Sequence, residues 1–216
     1  MDSRSVFMRM KSLGIVPVIR TSSPELAVNA VTALTAGGIS IAEITLTTPD
    51  ALSVIETLVN REEEDLLIGA GTVTDLTSCK SAVAAGARFI VTPFVNLEVI
   101  EHCVRQEICV MSGALTPTEI FSVHQAGADA VKVFPAKAVG GPGYLKLIRD
   151  PLPHIPLVPT GGVNLENIQD YLAAGAVFVG AGTDLVNKKA LADNNLDMIT
   201  QRAKAYLEAV RPFLLS

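Results

Sequence analysis

A repeated stop signal limits what this chain can fold into. The triplet Ala-Gly-Gly or Ala-Gly-Ala occurs at Ala36-Gly37-Gly38, Ala85-Gly86-Ala87, Ala126-Gly127-Ala128 and Ala174-Gly175-Ala176. Each closes a segment with helical patterning, and each precedes a short apolar run. Glycine suits that position because helices commonly end in a left-handed residue, which a side chain disfavours. Gly37, Gly86, Gly127 and Gly175 stand 49, 41 and 48 residues apart, an interval that holds two strand–helix units. Four such quarters give eight alternating units. Alternation with right-handed crossovers makes a parallel sheet. Eight units in 216 residues predict an α/β chain closed into a (β/α)8 TIM barrel rather than an open doubly wound sheet.

The individual units are legible. Apolar, β-branched runs predict strands at 15–20, 39–46, 66–72, 89–92, 108–111, around Lys132, at 156–160 and at 177–180. Ser23 before Pro24, Asp75, Asn96, Thr116 before Pro117, and Asn164 are expected helix caps. A short helix is expected at 142–148. Ile199, Ala203, Tyr206, Leu207 and Val210 repeat at helical spacing and predict an additional C-terminal helix. The charged run Arg61-Glu62-Glu63-Glu64-Asp65 reads as a solvated loop or helix end. No linker interrupts the pattern, so residues 1–216 form one expected domain.

Composition bounds the function. Hydrophobic residues make up 49% of the chain and Trp is absent, so an aliphatic core is expected. A net charge of -5 argues against nucleic acid as the partner but leaves room for a small anion at a locally positive site. Cys79, Cys103 and Cys109 lack CxxC spacing, and Met1-Asp2-Ser3-Arg4 does not open a secretory signal. Packed thiols in a reducing cytoplasm are therefore expected. No apolar run reaches membrane-spanning length, so no membrane partner is predicted. His102, His124 and His154 form no HxxxH pair, and neither a metal nor a cofactor is predicted.

The sixth strand contains the unusual residue. In Asp129-Ala-Val-Lys-Val-Phe-Pro-Ala136, strand alternation puts Ala130, Lys132 and Phe134 on one face and Val131 and Val133 on the other. Pro135 ends the strand, so Lys132 lies near a carboxyl end, where barrels keep their sites. Two readings fit: an amine that forms a Schiff base with a ketone, or a packed stem whose head pairs with a carboxylate. Glu43 lies inside the second strand. Second and sixth strands share parity, so Glu43 and Lys132 can occupy one layer of the barrel interior. Burial would favour the uncharged amine that attack on a ketone requires, and the carboxylate would supply a proton shuttle.

The other strand ends bring Arg20, Thr45, Thr47, Thr72, Thr92 with Pro93, Ser112 with Gly113, Phe134 and Thr160 toward the same mouth. The seventh and eighth strands end in Thr160-Gly161-Gly162-Val163-Asn164 and Gly180-Ala181-Gly182-Thr183. Glycines there let backbone N–H groups approach an anion, and these two loops are the usual phosphate site of the fold. Gly161, Gly162, Gly180 and Gly182 are the expected phosphate ligands. Arg20 reads either as a carboxylate ligand or as a surface cation. Thr72 reads either as a substrate contact or as a cap.

Val16-Pro-Val-Ile-Arg20, Ala42-Glu-Ile-Thr-Leu46, Ile68-Gly-Ala-Gly-Thr-Val73, Val131-Lys-Val-Phe-Pro-Ala136 and Pro159-Thr-Gly-Gly-Val163 span nearly the whole chain. Together they resemble the 2-keto-3-deoxy-6-phosphogluconate (KDPG) and 4-hydroxy-2-oxoglutarate (KHG) aldolases. The resemblance implies a metal-free class I aldolase, usually a homotrimer, acting on a 2-keto-3-deoxy sugar acid and releasing pyruvate. It implies Lys132 as the Schiff-base lysine and Glu43 as the general acid and base. It implies substrate contacts from Arg20, Thr72, Pro93, Phe134, Thr160, Gly161 and Gly162. Two places depart: the last glycine loop, Gly180-Ala181-Gly182-Thr183, is not the family's usual Gly-Gly-Ser form, and the other lies just after Glu43. Family members of the phosphogluconate type often carry an arginine four residues after the glutamate, where this chain has Thr47. In that respect it resembles galactonate-type members. A phosphate-binding isomerase and a non-catalytic sugar-acid-binding barrel are the other readings that the residues allow.

Overall fold

The computed structural model of the protein describes residues 1–61 and 65–214. Eight strands form one sheet: β1 Ile15–Ile19, β2 Ile41–Thr45, β3 Leu67–Gly71, β4 Phe89–Val91, β5 Cys109–Ala114, β6 Ala130–Val133, β7 Leu157–Pro159 and β8 Val179–Ala181. Their spatial order is β7-β6-β5-β4-β3-β2-β1-β8, and every pairing is parallel. A parallel bridge between Thr160 and Gly180 joins the two ends and closes the barrel. The eightfold alternation expected from the glycine repeat is therefore present.

The helices are α1 Ser3–Leu13, α2 Pro24–Ala36, α3 Ala51–Val59, α4 Leu76–Ala84, α5 Leu97–Arg105, α6 Pro117–Gln125, α7 Gly141–Arg149, α8 Ile168–Ala173, α9 Lys188–Ala192 and α10 Leu196–Leu214. Ser23, Asp75, Asn96 and Thr116 each accept a hydrogen bond from a first-turn N–H, as their sequence contexts predict. Thr116 and Glu119 complete a reciprocal capping box. Asn164 differs from expectation. Its side chain accepts from the N–H groups of Glu166 and Asn167, so it organises a turn, and α8 starts only at Ile168. Glu62, Glu63 and Glu64 of the predicted solvated run lie outside the described residues.

The stop glycines also need one correction. Gly86, Gly127 and Gly175 have positive φ (100°, 92° and 93°), but in the first quarter the left-handed residue is Gly38, at 95°. Gly37 is right-handed at -86°. A Cβ on Gly37 would lie 2.5 Å from Ala203 Cβ and 2.8 Å from the Thr200 carbonyl. Close approach of α10 to α2 is what requires glycine there.

Two apolar layers follow from strand alternation. Ile19, Ile44, Ile68, Ile90, Val110 and Val131 pack outward against the helices. Val16, Ile41, Leu67, Phe89, Cys109, Met111, Ala130, Val158 and Phe178 fill the interior. The sequence reading did not anticipate α1. Only Val6 and Met10, four residues apart on a polar helix, are buried, which is too weak a period to stand out. These two join the interior cluster and plug the amino-terminal end of the barrel. The carboxyl end is left for ligands.

Candidate active site

Lys132 and Glu43 meet inside the barrel. Glu43 is flanked in register by Val18 on β1 and Gly69 on β3, and Lys132 by Gly113 on β5 and Val158 on β7. Alternation turns both side chains inward, and Lys132 Nζ lies 3.9 Å from Glu43 Oε1. Lys132 is 6% exposed and Glu43 2%. The amine therefore faces neither bulk water nor the helices. Under the pair is an enclosed space of about 10 Å³, walled largely by Val16, Val91, Met111, Val158 and Phe178. That is about the room of a single water, so a reactant must come from the carboxyl end.

Glu43 Oε1 is buried without a hydrogen-bond partner. Desolvation pushes the carboxyl above the usual glutamate value, against the opposing pull of Lys132 and Arg20. An orphan carboxylate oxygen beside an amine is costly if nothing else binds there, and it is suited to a ligand that brings a hydroxyl. Neighbouring glycines make the space. A Cβ on Gly180 would lie 2.3 Å from Thr160 Oγ1, so Gly180 lets the Thr160 hydroxyl enter the interior. The Phe134 ring centroid is 5.3 Å from Lys132 Nζ, and a Cβ on Gly161 would lie 3.2 Å from the same ring. Phe134 thus links the amine to the glycine loop.

Above the amine opens a pocket of about 320 Å³, lined by Arg20, Phe134, Thr160, Gly161, Gly162 and Gly182, among others. Gly161 and Gly162 have φ of 91° and 84°, a conformation that fits the predicted anion-binding turn. Gly180 is not among the lining residues; it belongs to the deeper space beside Lys132. Arg20 donates to Thr72 Oγ1 at 3.3 Å, which brings Thr72 to the same rim. Pro93 lies over Gly113, where a Cβ would meet its carbonyl carbon at 2.3 Å, one strand from Lys132. Thr92 and Ser112 are buried and hold that turn: Thr92 Oγ1 donates to the Phe94 carbonyl at 2.6 Å and lies 2.9 Å from Ser112 Oγ.

Sequence reasoning missed Lys137, Lys188 and Asp184, which line the pocket beyond the strand ends. Asp184 is partly desolvated, yet hydrogen bonds from Arg202 and Tyr206 hold its carboxyl below the usual aspartate value. Arg202 approaches at 2.5 Å and the Tyr206 hydroxyl at 2.6 Å. This tie pins the loop after β8 to α10. Cys79, Cys103 and Cys109 are free and buried, as expected, with the first two sulfurs 3.7 Å apart. Among the described residues no group of three or more His, Cys, Asp or Glu side chains could hold a metal ion.

Comparison with known proteins then decides the family. The model of the KDPG and KHG aldolase family matches residues 6–202. The chain belongs to the KDPG and KHG aldolase family. It is 36% identical over 194 residues to the 2-dehydro-3-deoxy-phosphogluconate aldolase of Pseudomonas aeruginosa, covering 90% of this chain and 88% of that one. It is 34% identical over 200 residues to the 2-dehydro-3-deoxy-6-phosphogalactonate aldolase of Escherichia coli K12, covering 92% and 97%. Among solved structures it superposes on the Legionella pneumophila KDPG aldolase with a TM-score of 0.86 at 34% identity, covering 95% of this chain and 98% of that one. In that relative, pyruvate was captured as a covalent carbinolamine.

Proposed function

We propose that this member of the family is a class I aldolase that cleaves 2-keto-3-deoxy-6-phosphogluconate to pyruvate and glyceraldehyde 3-phosphate. 4-Hydroxy-2-oxoglutarate, giving pyruvate and glyoxylate, is its second substrate. The observation that carries this reading is the buried Lys132–Glu43 pair, 3.9 Å apart beneath a glycine-lined pocket.

The chemistry follows from the arrangement. The Lys132 amine attacks the C2 ketone, and Glu43 delivers the proton that lets water leave the carbinolamine. The resulting iminium draws the C3–C4 electrons as the C4 hydroxyl gives its proton to Glu43. The aldehyde departs, and an enamine of pyruvate remains. Protonation at C3 and hydrolysis return the lysine. Arg20, Thr72, Thr160 and Phe134 hold the pyruvate half and the chain, and the Pro93 turn covers the amine. Gly161, Gly162 and Gly182 receive the phosphate, whose binding energy orients the reacting bond from a distance. No metal takes part, and the enzyme works as a cytoplasmic homotrimer.

A galactonate-type substrate is the second reading, favoured by Thr47. This residue is exposed at the end of β2, its hydroxyl 3.1 Å from Thr45 Oγ1, where an arginine would otherwise reach over the mouth. Pyruvate release from the two C4 epimers, each with and without chelator, tests the proposal. A kcat/KM at least tenfold higher for the gluconate epimer, insensitive to chelator, is expected. Preference for the other epimer replaces the substrate, and loss of activity with chelator removes the amine mechanism.

A further inference from the structure

The pocket has a cationic side that the strand ends do not explain. Lys137 sits in a 3₁₀ turn, Ala136–Val139, that follows β6. Its N–H donates to the Gly161 carbonyl at 3.0 Å, and the Ala136 N–H donates to the Thr160 carbonyl at 2.9 Å. These bonds stitch the turn to the glycine loop after β7. A Cβ on Gly162 would lie 2.4 Å from Lys137 Cβ and 2.6 Å from Lys137 Cδ. The aliphatic stem of Lys137 therefore lies where Gly162 has no side chain. From the other side, Asn167 Nδ2 donates to the Gly162 carbonyl at 2.9 Å. Loop and lysine are held as one unit.

Lys137 shares the pocket lining with Arg20 and Lys188. Among the described residues the lining has a single carboxylate, Asp184, and Arg202 already neutralises it at 2.5 Å. A chain with a net charge of -5 thus places three cations around a glycine-floored hollow. A neutral polyol end would gain little from that arrangement. A phosphate monoester carries nearly two negative charges above its second ionisation, at about pH 6.

We propose that Lys137 is a specificity-determining residue that selects the phosphorylated sugar acid by pairing with its distal phosphate. This rests on the aldolase reading above and deepens it. Lys137 reaches a group remote from C2 through C4, so its contribution belongs to binding and appears in KM rather than kcat. One charge-assisted hydrogen bond at a partly exposed site corresponds to about tenfold in affinity.

The test compares Lys137→Gln, which keeps most of the stem over Gly162, with Lys137→Arg, which keeps the charge. Substrates are the 6-phosphorylated 2-keto-3-deoxy acid and the same acid without phosphate. In Lys137→Gln, KM for the phosphorylated acid should rise about tenfold, with kcat and the KM for the dephosphorylated acid within about twofold. Lys137→Arg should restore the wild-type KM. The ratio of variant to wild-type KM should contract as pH falls below about 6 and the phosphate takes up a proton. An unchanged KM for the phosphorylated acid, an equal rise for both acids, or a ratio flat with pH overturns the assignment. Trapping pyruvate on the wild-type protein with borohydride separates the two levels. A trapped adduct with an unchanged KM in Lys137→Gln sinks only the role of Lys137, whereas absence of the adduct sinks the aldolase reading as well.

Discussion

Gly71 leaves the space that the Glu43 carboxyl group fills: a Cβ on Gly71 would lie 1.8 Å from Glu43 Oε1 and 2.4 Å from its Cδ. The two residues sit on neighbouring strands, and the missing side chain on β3 sets where the acid on β2 can point. Gly71→Ala should therefore push the carboxyl away from Lys132 while leaving an ordinary strand backbone. We expect kcat to fall at least tenfold, in line with loss of a positioned acid–base group, and the melting temperature to move by only a few degrees. Steady-state kinetics beside a thermal melt checks this. Full activity would mean that Glu43 needs no fixed position.

Glu43→Gln separates chemistry from stability. The amide cannot shuttle a proton, so kcat should fall by about 10² to 10⁴. Burial holds the folded-state value of Glu43 above its usual 4.5. A raised folded value means a contribution that is complete below the unfolded value and lost as pH rises through the folded one. The melting temperature of Glu43→Gln minus that of the wild type should therefore increase from about pH 4.5 upward. Melts in matched buffers across that range test it, and a difference that shrinks with rising pH would reverse the sign of the argument.

The barrel and its buried Lys132–Glu43 pair are legible because both rest on short periods. Helix-stopping glycines mark every second unit, and inward residues recur at every second position, so Lys132 and Glu43 could be placed in one layer without coordinates. What lay outside a strand was harder. Gly37 looked like Gly86, Gly127 and Gly175, but its need for glycine comes from α10, whose contact is more than 160 residues away in the chain and leaves no local pattern. Lys137 follows Pro135, past the end of β6, and reaches the mouth only because the 3₁₀ turn folds back onto Gly161 and Gly162. Gly180 ends a predicted strand as Gly161 and Gly162 follow one, but its closeness to Thr160, whose hydroxyl lies where a Cβ would stand, leaves no mark in the local sequence.

The contact at Gly37 predicts a stability effect without a catalytic one. Gly37→Ala drives a methyl group into Ala203 Cβ and the Thr200 carbonyl, at 2.5 and 2.8 Å. Overpacking of this kind costs about 1–3 kcal/mol, or roughly 2–10 °C in melting temperature for a chain of this size. KM and kcat at 25 °C should stay within twofold. An unchanged melting temperature would show that α10 docks with slack the structure does not contain.

Asp184 should show the opposite pH sign to Glu43. Burial works against its charge, but hydrogen bonds from Arg202 and Tyr206 prevail and depress its folded value below 3.8. Such a group stabilises above the unfolded value, and the contribution is lost as pH falls through the folded one. Asp184→Asn should cost about 1 kcal/mol at neutral pH, a modest figure because the pair is partly exposed. The deficit should fade below about pH 3.8. Because Asp184 pins the loop after β8, KM for the phosphorylated substrate should also rise. Denaturant titrations at two pH values and one KM determination suffice, and a deficit that persists at low pH would contradict the assignment.

Covalent trapping on Lys132 tests the central claim most directly. The protein is incubated with pyruvate and borohydride, and the intact mass and a peptide map are recorded. The account predicts one stable reduced-pyruvate adduct per chain, located on Lys132 and absent from Lys132→Ala. No adduct, or an adduct of equal yield in Lys132→Ala, would contradict it.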